Sequence, residues 1–245
     1  MKYEIYLNKA KNTLEKYSSN FELELLGQKL EYPIIKIKSK KINKKIDLVV
    51  VSGIHGEEAA GPLAIIKYLP EILAEVKKRN IKLIIYPMVN FYGFERNKRF
   101  NKEKISCNSF WIHEKGKMAK ESALVKKDIL KYKAKYSISM HENGEMKKRY
   151  SFFYAFGDIK AAQNLVKAAS SKMPVLKKGF SGKDGENKII NGIVYNWHDG
   201  TFEDFMFHQG TKASICSETA LKSDLKLRMS TDYIFIKEMI KIASS

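Results

Sequence analysis

Cysteine is nearly absent: only Cys107 and Cys216 occur in 245 residues. Two thiols cannot build a disulfide framework, and both sit among apolar neighbours, the setting of reduced thiols in a cytoplasmic protein. Long hydrophobic runs are missing too. No stretch approaches the roughly 20 apolar residues that a membrane helix needs, so no membrane partner is expected. The opening MKYEIYLNKAKNTLEKYSSN mixes lysine with short apolar patches and holds no apolar h-region, so it does not read as a secretory signal. Arginine is scarce as well. Lys+Arg number 45 against Asp+Glu 27, a net charge of +18, yet the arginines are only Arg79, Arg96, Arg99, Arg149 and Arg228. The excess is lysine, scattered as pairs from end to end. That describes a solvated surface rather than a nucleic-acid footprint, which concentrates charge and uses arginine.

What is present supports a folded core. Hydrophobic residues make up 44% of the chain and aromatics 11%, which rules out disorder, and the length suits one α/β domain spanning 1–245. No repeat or low-complexity linker interrupts it. An amphipathic helix is expected over about 6–18, then strand-like FELELL and PIIKIKS. IDLVVVS, 46–52, is an unbroken β-branched run of the kind covered on both faces, and a helix and the buried IKLIIYPMVN follow it as a βαβ unit. Further helices are expected near 119–135, 159–171, 201–209 and from 224, with strands at YSISM, SFFYAF and TKASICS, and an irregular segment over 177–200. The expected fold is α/β, a mixed, mostly parallel sheet with helices on both faces.

Polar residues concentrate just past the expected strands, where open α/β sheets place their sites. His55, Glu57 and Glu58 follow 46–52, Asn90 follows 82–88, His141 and Glu142 follow 137–140, and Glu218 follows 212–217. His55 and Glu58 stand three apart at a helix start, projecting about 60° from one another, so both can reach one ion. With His141 they make two imidazoles and a carboxylate, a set suited to catalytic zinc with one position left open for water. Taken singly, each has a plainer role: His-x-x-Glu fits a helix cap, acids at a helix start suit the macrodipole, and Glu142 competes with its neighbours as the polar group of its strand.

The chain resembles the zinc carboxypeptidases of the M14 type, the carboxypeptidase A-like family. The resemblance runs from about residue 46 to 220 through His55-Gly56-Glu57-Glu58, the block YPMVNFYGFERNKRFNKEKISCNSFW with Asn90, Gly93, Arg96, Arg99 and Asn108, SISMHENGE with His141, and TKASICSETA with Glu218. It implies one zinc ion held by His55, Glu58 and His141. It also implies Glu218 as the general base, Arg99 facing the oxyanion, and Asn108 binding substrate. A mobile lid tyrosine matches Tyr195. Counting back from Glu218 through Gln209-Gly210, the position facing the leaving side chain falls on Glu203, or on Asp204 if the register slips by one.

One departure matters. Where the family clamps a terminal carboxylate with Asn-Arg, this sequence has Asn108-Ser109, and serine cannot supply a charged bidentate clamp. Arg96, Lys98 or another lysine is the expected substitute. The implied activity is a metallocarboxypeptidase on a peptide substrate. The alternatives are an N-acyl amino acid amidohydrolase of the succinylglutamate desuccinylase and aspartoacylase kind, and a peptidase of murein peptides. From another class, a basic module binding nucleic acid lacks the aromatic-interleaved basic stripe such modules use.

Overall fold

The run from Ile46 to Ser52 forms the middle of the molecule. In the computed structural model, which describes residues 1–112, 116–146, 149–181 and 187–245, it lies in β3 (Lys45–Ser52). Around it the chain lays down α1 (Tyr3–Glu15), β1 (Phe21–Leu26), β2 (Ile34–Ser39), α2 (Ala60–Arg79), β4 (Leu83–Tyr86), α3 (Phe91–Arg96) and α4 (Lys120–Ile129). The second half adds β5 (Lys133–Asn143), β6 (Ser151–Gly157), α5 (Ile159–Ala169), β7 (Lys178–Ser181), β8 (Asn187–Ile190), β9 (Ile193–Tyr195), α6 (Phe202–His208), β10 (Ala213–Ala220) and α7 (Leu225–Ala243).

Among the described residues one sheet runs β1-β2-β4-β3-β5-β10-β6-β9-β8-β7. Pairing is parallel across β4-β3-β5-β10 and between β6 and β9, and antiparallel elsewhere, so the parallel character belongs to the centre. Side chains alternate across β3 with period two. Leu48 and Val50 enter a core shared with α1, α2, α5 and α7, whereas Val49 and Val51 pack with Trp111, α4 and α6 on the other face. Both faces are thus covered, which is why this strand carries no alternation of polar and apolar residues.

Three details differ from the sequence reading. β5 and β10 run further than their apolar cores, to Asn143 and Ala220, because the parallel ladder continues through His141↔Glu218 and Glu142↔Thr219. His141 and Glu218 therefore stand on strands, not past them. The segment 177–200 holds β7, β8 and β9. Its β8-β9 connection is Asn191-Gly192, both at positive φ, the two-residue turn that Asn-Gly between apolar runs specifies. The short α3 also went unread; its cap is described below.

Candidate metal centre and cavity

The His55 turn is shaped by a close backbone approach. A Cβ on Gly56 would lie 2.2 Å from the carbonyl carbon of Gly93, so the turn seats directly on α3 only because residue 56 is glycine. Asn90 organises the facing side. Its Oδ1 accepts from the Gly93 amide at 2.9 Å, capping α3, and its Nδ2 donates to the Arg99 carbonyl at 3.0 Å. The Asn-x-x-Gly spacing is thus a structural device that brings Arg99 to the His55 turn. The Arg99 guanidinium lies 2.9 Å from His55 Nε2, 3.0 Å from Glu57 Oε1 and 3.3 Å from Glu58 Oε1.

His141 reaches the same point from the adjacent strand. Its Nδ1 is 2.8 Å from Glu58 Oε2, its ring centroid is 5.1 Å from that of His55, and donor atoms of His55, Glu58 and His141 all lie within 4.8 Å of one another. All three residues are buried. His55 Nδ1 and His141 Nε2 are nevertheless buried without a hydrogen-bond partner, as is Oε2 of Glu218. Orphaned imidazole nitrogens beside a buried carboxylate are what a bound cation would satisfy, so the residues present fit a metal.

Electrostatics follow from this crowding. Burial drives the His55 imidazole well below its usual range, helped by the charges of His141 and Arg99. Burial acts the same way on His141, but Glu58, Glu203 and Glu218 override it and hold that imidazole up at about 9. The Glu218 carboxyl is pushed up to about 8, chiefly by burial and by Glu58 and Glu203, against the pull of His141 and Arg99.

These residues open into a cavity of about 670 Å³ lined also by Ser109, Asn108, Tyr154, Trp197, Asp199, Glu203 and Cys216. Glu203 is 2% exposed and accepts a hydrogen bond from Ser139; its Oε1 stands 3.8 Å from His141 Nε2. Asp204 points elsewhere, toward His198 and His208, and among these two acids Glu203 alone lines the cavity. Asn108 lines the cavity while its Oδ1 accepts from the Phe202 amide, fixing the start of α6. Glu142 lines it too, but its oxygens are engaged by Arg228 and by the Ala60 amide at the head of α2.

Two expected site residues are not brought here. Tyr195 lines a separate groove, with its hydroxyl donating to the Gly157 carbonyl at 2.7 Å, because β9 pairs with β6 and turns that side chain away. Arg96 stacks over the Tyr92 ring at 3.9 Å and pairs with Glu31 and Glu95 outside the cavity. Neither Lys98 nor any other lysine among the described residues lines it. Among the described residues, Arg99 is the only lysine or arginine that does. Ser139 and Cys216 were missed, although period-two alternation places them on the same faces as His141 and Glu218. Asp232, buried in α7 with both oxygens unpartnered and pushed toward its neutral form by burial, gave no signal in the sequence.

The architecture matches the fold of solved carboxypeptidase-like structures. The solved structure of a candidate metallopeptidase from Shewanella denitrificans OS217 superposes with a TM-score of 0.83 at 23% identity, covering 98% of this chain and 90% of that one. A second candidate metallopeptidase, from Shewanella baltica OS155, gives 0.82 at 19% identity over 97% and 91% of the two chains. A metallo-carboxypeptidase from Pseudomonas aeruginosa, solved with (2-guanidinoethylmercapto)succinic acid, gives 0.67 at 13% identity over 95% of this chain and 68% of that one. Residues 5–162 match the model of DUF2817, a family of proteins of unknown function, and the chain belongs to that family. No protein of curated function matches the sequence.

Proposed function

We propose that this chain is a metal-dependent peptidase of carboxypeptidase type, hydrolysing a terminal peptide or amide bond with one zinc ion held by His55, Glu58 and His141. The observation that carries the reading is the pair of buried, unpartnered imidazole nitrogens beside Glu58 at the floor of the cavity. When bound, zinc supplies Lewis acidity, acidifying a water and polarising the scissile carbonyl. Glu218 takes the proton from that water on its free Oε2 and returns it to the leaving amine. Arg99 offers its planar fork to the oxyanion. Asn108 positions the substrate from the rim.

The substrate's end group is read unconventionally. Ser109 occupies the place of the carboxylate-clamping arginine, and Arg99 is the sole lysine or arginine among the described lining residues. The buried acid Glu203 instead favours a leaving residue that carries an amine, such as lysine, ornithine or diaminopimelate. That observation gives the murein-peptide reading its support, and N-acyl amino acids remain the comparison substrate.

The test joins metal analysis to turnover. Purified protein should carry zinc, and His55→Ala should lose the cavity's equivalent of it. Peptides, N-acyl amino acids and muropeptides screened with and without chelator should show hydrolysis that chelator abolishes. Equal zinc in wild type and His55→Ala after reconstitution would overturn the ligand assignment.

A further inference from the structure

A second cluster of donor atoms lies outside the cavity, between the segment that follows β9 and the end of α6. His198 Nδ1 is 2.6 Å from Asp204 Oδ1, and His208 Nδ1 is 3.1 Å from the same oxygen and 2.9 Å from the Asp204 backbone carbonyl. Asp204 is 2% exposed, and its other oxygen accepts from the Gly200 amide at 2.9 Å, so the carboxylate is fixed in orientation. The imidazoles are held from the side. The His198 ring sits 5.4 Å from Phe156, 6.0 Å from Phe207 and 5.6 Å from His208. Both histidine side chains are about half exposed, at 46% and 51%, which leaves the cluster open to water and ions.

The neighbours are as informative as the members. In a chain with 45 lysines and arginines, none of those described pairs with this buried carboxylate, whose ionisable partners are the two imidazoles alone. Ammonium and guanidinium groups have no lone pair for a metal, whereas imidazole does. Two imidazoles and one pre-oriented carboxylate, with solvent on one side, suit zinc, nickel or copper rather than magnesium or calcium.

We propose that His198, Asp204 and His208 form a second, surface-accessible site for a divalent transition-metal ion, separate from the cavity. Binding requires each Nδ1 to present its lone pair with the ring proton on Nε2, so the cation replaces the contacts of His198 Nδ1 with the Asp204 carboxylate and of His208 Nδ1 with the Asp204 carboxylate and carbonyl. The ion ties His198 to α6. His198 stands between Trp197 and Asp199, both of which line the catalytic cavity, so the site is a staple on the cavity rim.

Zinc alone is the probe. At buffered free zinc, the His198→Gln/His208→Gln variant should bind one equivalent less per chain than wild type, as read by elemental analysis after equilibrium dialysis. The His55→Gln/His141→Gln variant should still bind one zinc and show slowed amide exchange over 196–201 on its addition. If wild type itself binds only one zinc and the His198/His208 variant none, this site stands and the cavity assignment fails. Unchanged stoichiometry in the His198/His208 variant overturns the proposal. Should that variant unfold, the exchange measurement on the His55/His141 variant decides, and no zinc-dependent protection at 196–201 overturns it equally.

Discussion

Lys36 and His141 are both buried in the same sheet among carboxylates, and their surroundings are built in opposite ways. The Lys36 ammonium, 1% exposed on β2, has an acceptor for each of its three protons: Asp128 Oδ2 at 2.6 Å, Glu24 Oε2 at 3.1 Å and the Tyr132 hydroxyl at 3.2 Å. Asp128 in turn accepts from the Tyr86 hydroxyl at 2.6 Å and from Lys131 at 2.8 Å. At the cavity the accounting stays open. His55 Nδ1, His141 Nε2 and Glu218 Oε2 are buried without partners, and burial pushes the Glu218 carboxyl up to about 8. A closed network of buried charge stabilises the fold; an open one keeps donor atoms ready for something absent from the chain itself.

The largest effect expected from this contrast is catalytic. Glu218→Gln keeps the shape of the side chain and cannot take a proton, so hydrolysis should fall on the order of 10²-fold or more while zinc is retained. In chelator, the same substitution should leave the melting temperature unchanged or raised, because it removes an acid whose buried Oε2 has no partner and whose Oε1 has only the weak Cys216 thiol contact. A large loss of stability in the metal-free variant would show that Glu218 belongs to the closed kind of network.

Lys36→Ala should do the reverse. Removing one partner from a buried ion pair costs up to about 3–5 kcal/mol, and here less than the full figure, because Asp128 loses its buried cation but keeps the Tyr86 hydroxyl and Lys131. Activity per folded molecule should be unaffected. The pH profile has a definite sign. Burial raises the Asp128 carboxyl, but hydrogen bonds from Lys131, Lys36 and Tyr86 outweigh it and hold the group below its usual range. Its contribution is therefore full above the unfolded value of about 3.9 and lost as pH falls through the folded one. Asp128→Asn should flatten the acid limb of stability in urea titrations; an unaltered limb would assign acid unfolding to other carboxylates.

Neither network was equally visible beforehand. The clustering of the cavity residues was readable because ordered motifs, His55 with Glu58, then His141, then Glu218, each carry a spacing. Lys36 looked like one of many surface lysines, because IIKIKS alternates and its partners come from β1, α4 and the residue Tyr132, which no local pattern links. The central strands were legible because both faces are buried. Tyr195 was misplaced for a related reason: its position depends on the β6-β9 pairing, a long-range contact, even though Asn191-Gly192 advertised the hairpin itself.

Arg99→Lys tests the open network at its rim. The charge persists while the fork that meets Glu57, Glu58 and His55 is lost, so kcat should fall by about tenfold or more with little change in KM. A raised KM alone would make Arg99 a binding residue, leaving the oxyanion to the metal.

The smallest effect is expected at Glu203, which belongs to neither kind of network completely. It is buried at the cavity floor like Glu218, yet it already accepts a hydrogen bond from Ser139 and has His141 Nε2 at 3.8 Å. An unpartnered buried carboxylate would demand a cation strongly; one already bonded gains less from a substrate amine, so the preference should be about tenfold, or near 1.4 kcal/mol, rather than a thousandfold. The measurement is kcat/KM for otherwise identical substrates ending in lysine and in leucine, before and after Glu203→Gln. Wild type should favour lysine, and the amide should erase that preference while leaving zinc content intact, since the proposed ligands His55, Glu58 and His141 are unchanged; zinc lost with Glu203→Gln would instead favour the neighbouring His141, Glu203 and Cys216 group as the metal's holder. A wild-type preference for leucine, or a lysine preference that survives the substitution, would assign Glu203 to supporting His141 through the Ser139 contact and leave the end-group reading to Tyr154, Trp197 and Asp199 on the cavity wall.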